Sequence, residues 1–155
     1  LEPIGAYRVP IMRTVESDGG RGLPIMGFGL YLTVDDVAKI AQLLHDGGKY
    51  GSRQLLHPGR LAEALYQTEK RGLPTGGIGQ DHEYQLSFWM KPFNDNHGCE
   101  IWLPKMMGYG GHIVMILPNR TTAFRFADNH HYQARDLALA AHDVRPLCPD
   151  LNERR

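Results

Sequence analysis

A glycine-rich stretch at residues 105 to 119, KMMGYGGHIVMILPN, holds the residues whose types and spacing are most suggestive of chemistry in this chain. Glycine stands at positions 108, 110 and 111, directly before the apolar run from Ile113 to Leu117. Glycine permits either a tight bend or the close approach of a ligand to bare backbone. His112 follows the glycines, where an imidazole can exchange protons and hydrogen bonds. The stretch is therefore a candidate binding site, and a bulge or a close approach between strand and helix is the alternative.

Other residues of metal-binding type occur along the chain. His130 and His131 follow Asp128 closely, but adjacent side chains point in different directions, so we expect a helix start there. Cys99 and Cys148 lack a C-x-x-C arrangement, which argues against zinc and is compatible with one disulfide. The sequence therefore predicts neither a metal site nor a cofactor.

Composition places the chain among globular proteins and argues against two classes of partner. The 155 residues are 42% hydrophobic and 22% charged, which suits one domain over residues 1–155. The 17 basic and 17 acidic residues cancel, so no strong field favours nucleic acid. The longest apolar runs are about five residues, far below the roughly 20 that span a bilayer. The chain opens at Leu1 without a charged and then apolar segment, so we expect a piece of a longer protein.

The elements around the glycine-rich stretch follow from local patterns. Proline and glycine recur through residues 1–28 and predict an irregular segment. A helix is expected from Thr33, whose hydroxyl can form a capping box with Asp36, and Gly47-Gly48 should stop it. A second helix is expected from about Pro58 to Lys70, with Gly72 closing it.

The second half of the chain alternates apolar and polar residues and predicts an antiparallel meander. A glycine-rich loop is expected at 72–83. The predicted strands are Tyr84 to Met90, Ile101 to Leu103, Tyr109 to Leu117 and Thr121 to Ala127. A last helix should begin near a cap at Asn129 and end before Pro146. The fold class is therefore α+β, an antiparallel sheet with packed helices.

Three segments together resemble a known family: LEPIGA at 1–6, GFGLYLTVDDVAKIAQLLHDGGKYGSRQLL at 27–56, and MMGYGGHIVMILPNRTTAFRF at 106–126. In this order they are similar to the C-terminal half of the serine β-lactamase-like hydrolases, the superfamily of class C β-lactamases, DD-peptidases and related esterases. The resemblance implies the C-terminal part of a β-lactamase/transpeptidase-like fold. It also makes a periplasmic or secreted setting plausible.

The resemblance implies acyl-enzyme chemistry on a small-molecule ester or amide, including a β-lactam or a peptide. A serine of a Ser-x-x-Lys motif attacks the carbonyl carbon, and backbone amides bind the oxyanion. None of Ser17, Ser52 and Ser87 begins Ser-x-x-Lys, and no Tyr-x-Asn occurs. Both motifs lie N-terminal to the matched segments in the family. We therefore expect the nucleophile on a missing N-terminal part, covalently attached or a second chain; the alternative is a noncatalytic binding or scaffold module of the same fold.

The family's Lys-Thr-Gly motif falls on Met106-Met107-Gly108, and the backbone N–H of Tyr109 then completes the oxyanion hole. With His112, these residues are the expected substrate-binding set. Methionine in place of the family's cation favours a substrate without a carboxylate. In an alternative register, shifted by one, Lys105 supplies that cation.

Overall fold

The computed structural model describes residues 1–7, 9–25, 29–76, 82–94 and 98–148. These residues form a mixed α/β fold with three α-helices and antiparallel sheets. Their contacts divide the chain into two compact units, Leu1–Leu55 and Leu56–Arg155. Gly27 and Phe28 of the second resembling segment lie outside the described residues, as do residues 77–81 of the predicted loop. Within the described ranges, no helix has the length and apolar character needed to cross a membrane.

The first unit carries a short 3-10 helix, two small hairpins and one α-helix. Its elements are the 3-10 helix Glu2–Ile4, β1 Arg13–Val15, β2 Arg21–Pro24, α1 Val34–His45, β3 Lys49–Tyr50 and β4 Arg53–Gln54. The predicted capping box is confirmed: the Thr33 hydroxyl accepts the Asp36 N–H at 3.2 Å, and the Asp36 carboxylate accepts the Thr33 N–H at 3.0 Å. The expectation of an irregular segment over residues 1–28 was wrong for residues 13–24, where β1 and β2 pair as an antiparallel hairpin.

The second unit is an antiparallel sheet with one helix before it and one after. Its elements are α2 Pro58–Ala64, β5 Leu73–Pro74, β6 Glu83–Gln85, β7 Phe88–Asn94, β8 Glu100–Gly108, β9 His112–Ile116, β10 Thr122–Arg125 and α3 Arg135–Val144. Strands β5 to β10 form one six-stranded sheet, and strands that are consecutive in the chain are neighbours in the sheet. Each neighbouring pair is antiparallel. The predicted meander is thereby confirmed.

Helix α2 is shorter than predicted. It ends at Ala64 rather than near Lys70, because Tyr66 takes a left-handed φ of 56°. The Tyr66 hydroxyl donates to the Glu83 carboxylate and accepts the Gly72 N–H at 2.6 Å. This hydrogen bonding ties the chain after α2 to the sheet and replaces the expected last turns of helix.

The predicted strand from Tyr84 to Met90 is a hairpin instead. Leu86 and Ser87 have φ values of 47° and 71°, so the chain reverses between β6 and β7. The N-terminus of α3 also differs from the prediction. It begins after Ala134, whose side chain makes no cap, while the Asn129 side chain accepts the His131 N–H at 3.0 Å. His130 and His131 therefore precede the helix by several residues rather than starting it.

The core of the second unit lies between α3 and one face of the sheet. Its buried members come from β7, β8, β9, α3 and the flanking segments: Phe93, Cys99, Leu103, Ile113, Met115, Leu117, Ala134, Ala138, Ala141 and Leu147. A disulfide joins Cys99, just before β8, to Cys148 after α3. The opposite face receives the segment that follows α2, where the Tyr66 and Trp102 rings lie 5.8 Å apart. Helix α3 thus covers one face of the central strands, and the segment after α2 lies against the other.

Candidate functional site

The glycines of the 105–119 stretch build the hairpin between β8 and β9. Gly110 and Gly111 have φ values of 87° and 96°, a region that favours glycine. A Cβ at Gly111 would lie 3.0 Å from the backbone N and O of His131, and one at Gly110 would lie 3.1 Å from the carbonyl oxygen of Ala127. Backbone conformation and the close approach of residues 127–131 therefore account for both glycines. The sequence left open a close approach between strand and helix; the approaching residues are instead in the loop before α3.

Tyr109 stands at the tip of this hairpin. Its side chain is 79% exposed, and its ring meets that of His130 edge to face at a centroid distance of 5.0 Å. The His130 N–H donates to the Gly110 carbonyl at 3.0 Å, which fixes the two loops against each other. The hairpin tip thus presents an ordered aromatic surface to solvent.

His112 is exposed and hydrogen-bonded in a way that sets its tautomer. Its Nδ1 accepts the Ala127 N–H at 3.1 Å, so the neutral ring carries its proton on Nε2. The ring also meets Phe126 edge to face, with centroids 5.8 Å apart. In this state His112 offers a hydrogen-bond donor, whereas its Nδ1 is occupied and does not act as a base.

The predicted substrate-binding residues do not share one face of the sheet. Met106 pairs with Val114 and Gly108 pairs with His112, so side chains at these positions belong to one face. Met107 pairs with Ile113, which is fully buried on the α3 face. The structure thus brings Met106, Gly108 and His112 to one side, places Tyr109 at the turn, and turns Met107 away.

A buried lysine lies one position before this set. Lys105 is only 2% exposed and sits in β8 between Trp89 of β7 and Met115 of β9. It belongs to the same face as Leu103 and Met107, the face that α3 covers. The sequence predicted a role for Lys105 only in an alternative alignment with the family motif, shifted by one residue. The signal available was the period of two: Ile101, Leu103, Lys105 and Met107 place one charge in an otherwise apolar row.

Lys105 lines a cavity of about 120 Å³ between α3 and strands β7 to β9. The cavity walls are largely apolar, and the remaining lining residues are polar or positively charged. The apolar walls come from Pro92, Phe93, Leu103, Met115, Ala134 and Ala138, and the others are Lys91, Lys105, Gln133 and Arg135. The charged lining residues are all cations. We call this space the α3 cavity.

Burial changes the proton affinity of Lys105. Removal from water, followed by the nearby positive charge of Lys91, lowers the pKa of Lys105 to about 8. Its Nζ lies 3.4 Å from Nε2 of His82. An ammonium only donates, so His82 accepts through Nε2 when Lys105 is charged. Among the described residues, no ion pair joins Lys105 to a carboxylate.

Two arginines fix the segment that leads into α3. Arg135 donates to the Asn94 carbonyl at 3.2 Å, joining the start of α3 to the end of β7. Arg125 donates to the carbonyls of His131 and Gln133, at 2.5 Å and 3.0 Å, and pairs with Asp136 at 3.3 Å. The segment entering α3 is therefore fixed by charge-assisted hydrogen bonds.

Fold and site together define a mixed α/β protein with an antiparallel sheet, a glycine hairpin and a cationic cavity under its last helix. Comparison of the chain with protein-family models, with curated proteins and with solved structures gives no match. Within the described ranges, no three His, Cys, Asp or Glu side chains are grouped to hold a metal ion.

Proposed function

We propose that this chain is the C-terminal part of a serine β-lactamase-like hydrolase that acts on an ester or amide through an acyl-enzyme. The observation that carries the proposal is the order of elements around the candidate site. Strand β8 ends at Gly108, a glycine hairpin follows, and β9, β10 and α3 come next. The resemblance of residues 106–126 implies the first three of these in the same order: a strand that ends in glycine, a glycine turn and an apolar strand.

In the proposed reaction, a serine outside this chain attacks the substrate carbonyl and expels the alcohol or amine. Water then hydrolyses the acyl-enzyme. The backbone N–H of Tyr109 donates to the oxyanion that forms at each step, and the donor Nε2–H of His112 lies on the neighbouring strand. The chain thus supplies electrostatic stabilisation and part of the binding surface, while the nucleophile comes from elsewhere.

Substrate preference follows from the face on which the cations lie. Lys105 lies on the α3 face, whereas Met106, Gly108 and His112 occupy the opposite face. The shifted register therefore does not bring the lysine to the hairpin side of β8. We propose a substrate that lacks a carboxylate next to the reacting carbonyl.

The experiment that tests the proposal is covalent labelling of the intact protein with a fluorophosphonate, followed by mapping of the modified residue by mass spectrometry. The expected label falls on a serine outside residues 1–155. A label on Ser17, Ser52 or Ser87 would show that the division of roles is wrong.

A noncatalytic module of the same fold is the second candidate. It is favoured by the α3 cavity, which is formed on the face of the sheet away from Gly108 and His112 and requires no nucleophile. This candidate predicts no fluorophosphonate label and no ester hydrolysis by the intact protein. Ligand binding in the cavity would then persist without any reaction.

A periplasmic or secreted location is also proposed, and the disulfide between Cys99 and Cys148 supports it. Disulfides persist mainly in oxidising compartments. Alkylation of the protein as isolated from its native source, before any reduction, tests this. Both cysteines should resist alkylation; modification of both would contradict the proposed location.

A further inference from the structure

The α3 cavity contains an ammonium group that no carboxylate of the described residues neutralises. Lys105 is almost fully buried, and a buried charge is costly unless it is paired. The described groups that face it are Lys91 on β7, Arg135 on α3 and His82, none of them negative. The carboxylate of Asp136 in the first turn of α3 pairs with Arg125 instead. Within the described ranges Lys105 has no anionic partner, so the cavity offers a cation to an anionic ligand.

The walls of the cavity indicate what else the ligand contains. Phe93, Leu103 and Met115 form an apolar lining, and the small side chain of Ala138 leaves room beside the helix. A volume of about 120 Å³ is close to that of an engineered protein cavity of about 150 Å³ that binds benzene. The space therefore suits a ligand of a few heavy atoms with an apolar portion.

We infer that the α3 cavity binds a small organic carboxylate, with its charged group between Lys105, Lys91 and Arg135 and its short apolar chain against Phe93 and Met115. The carboxylate accepts a hydrogen bond from the Lys105 ammonium and supplies the charge that burial leaves uncompensated. Lys91 and Arg135, nearer to solvent, attract the anion to the entrance. This site is independent of the proposed hydrolase activity, since it lies on the other face of β8.

The pH dependence of binding follows from the same group. An anion beside Lys105 favours its protonated form, and binding therefore raises the pKa of Lys105 above its value of about 8 in the free protein. The affinity for a carboxylate should fall as the pH rises above that value. His82 faces the same ammonium through Nε2, and Lys91 and Arg135 line the same cavity. The affinity should therefore be followed from below to above the pKa of Lys105.

The test uses butyrate as the probe, titrated into the intact protein by calorimetry or ligand-observed NMR. Butyramide, which has nearly the same shape without the charge, and inorganic phosphate, which has charge without an apolar chain, serve as comparison ligands. Butyrate should bind saturably at one site, and both comparison ligands should bind at least about tenfold more weakly. Equal binding of butyramide would refute the role of the cations, and equal binding of phosphate would refute the role of the apolar walls.

Matched variants locate the site. Lys105→Met keeps the apolar stem and removes the charge, and should weaken butyrate binding at least about tenfold. Arg135→Gln removes a second cation of the lining and should weaken butyrate binding severalfold. Lys70→Met removes a lysine whose side chain is exposed and paired with Glu63, and should leave binding unchanged. Unchanged binding in Lys105→Met, or no saturable binding of butyrate to the unmodified protein, would overturn the inference.

Discussion

Replacing Lys105 by methionine should make the protein more stable at neutral pH. The pKa of this lysine falls from 10.5 to about 8 because burial and Lys91 disfavour its charged form. One pKa unit corresponds to 1.36 kcal/mol, so this difference amounts to about 3 kcal/mol at neutral pH. Solvent at the cavity mouth reduces the penalty, and we expect Lys105→Met to gain about 2 kcal/mol. Methionine fills a similar volume and introduces no new polar group.

The pH dependence gives the sign of the effect. Between pH 8 and pH 10.5 the unfolded chain holds a proton on Lys105 that the folded protein has released. The free energy of unfolding contributed by this group therefore rises with pH over that window, and the full penalty applies below it. In Lys105→Met this rise should disappear, so the two proteins should converge in stability as the pH approaches 10.

Equilibrium unfolding in guanidinium chloride, without carboxylate buffers, measures both effects. Trp89 and Trp102 lie in β7 and β8 and report on the sheet by fluorescence. Lys70→Met is the control, since an exposed ion pair of this kind is worth less than about 1 kcal/mol. A Lys105→Met protein that is less stable than the unmodified protein at neutral pH, or that keeps the alkaline rise in stability, would refute the reasoning.

Three further predictions concern other parts of the second unit. Cys148→Ser opens a disulfide that joins residues 49 apart, and should lower the free energy of unfolding by up to about 4 kcal/mol in guanidinium unfolding. Tyr66→Phe removes the hydroxyl that bonds to Glu83 and should cost about 1–2 kcal/mol in the same assay. Burial, followed by the Glu83 hydrogen bond, raises the pKa of Tyr66 to about 12. The contribution of this hydroxyl to stability is therefore lost as the pH rises from 10 toward 12. The Tyr66→Phe protein should not show this decrease in stability. If the intact protein hydrolyses esters, Tyr109→Pro removes the proposed oxyanion donor and should lower kcat about 100-fold or more. Tyr109→Ala keeps the backbone N–H and should retain most of the activity. Equal kcat values for the two variants would contradict the donor role.

Local signals predicted the elements whose ends depend on local chemistry. The Thr33–Asp36 capping box and the glycines at 47 and 48 fix both ends of α1, and each lies within a few residues of the helix. The hairpin between β6 and β7 was not predicted, because Leu86 and Ser87 take left-handed conformations that are usually adopted by glycine or asparagine. Strand β8 was predicted too short, since Pro104 interrupts its apolar pattern and usually argues against a central strand.

The sequence predicted only part of the candidate site, because the rest depends on contacts between distant segments. The glycine hairpin could be located because the backbone demand is local, but its cause, the approach of residues 127–131, depends on the tertiary fold. A lysine in a strand normally points to solvent. Lys105 is buried because α3, about 30 residues later in the sequence, covers that face of the sheet. The α3 cavity therefore depends on a tertiary contact that the local sequence does not determine.

The most direct test of the claim that Lys105 is a buried ammonium is NMR titration of its side-chain Cε and Hε signals, assigned by comparison with Lys105→Met. The free protein should show a pKa of about 8 for this lysine, and the value should rise when butyrate is present. A pKa near 10.5 that butyrate does not change would contradict both the burial of this charge and the carboxylate site built around it.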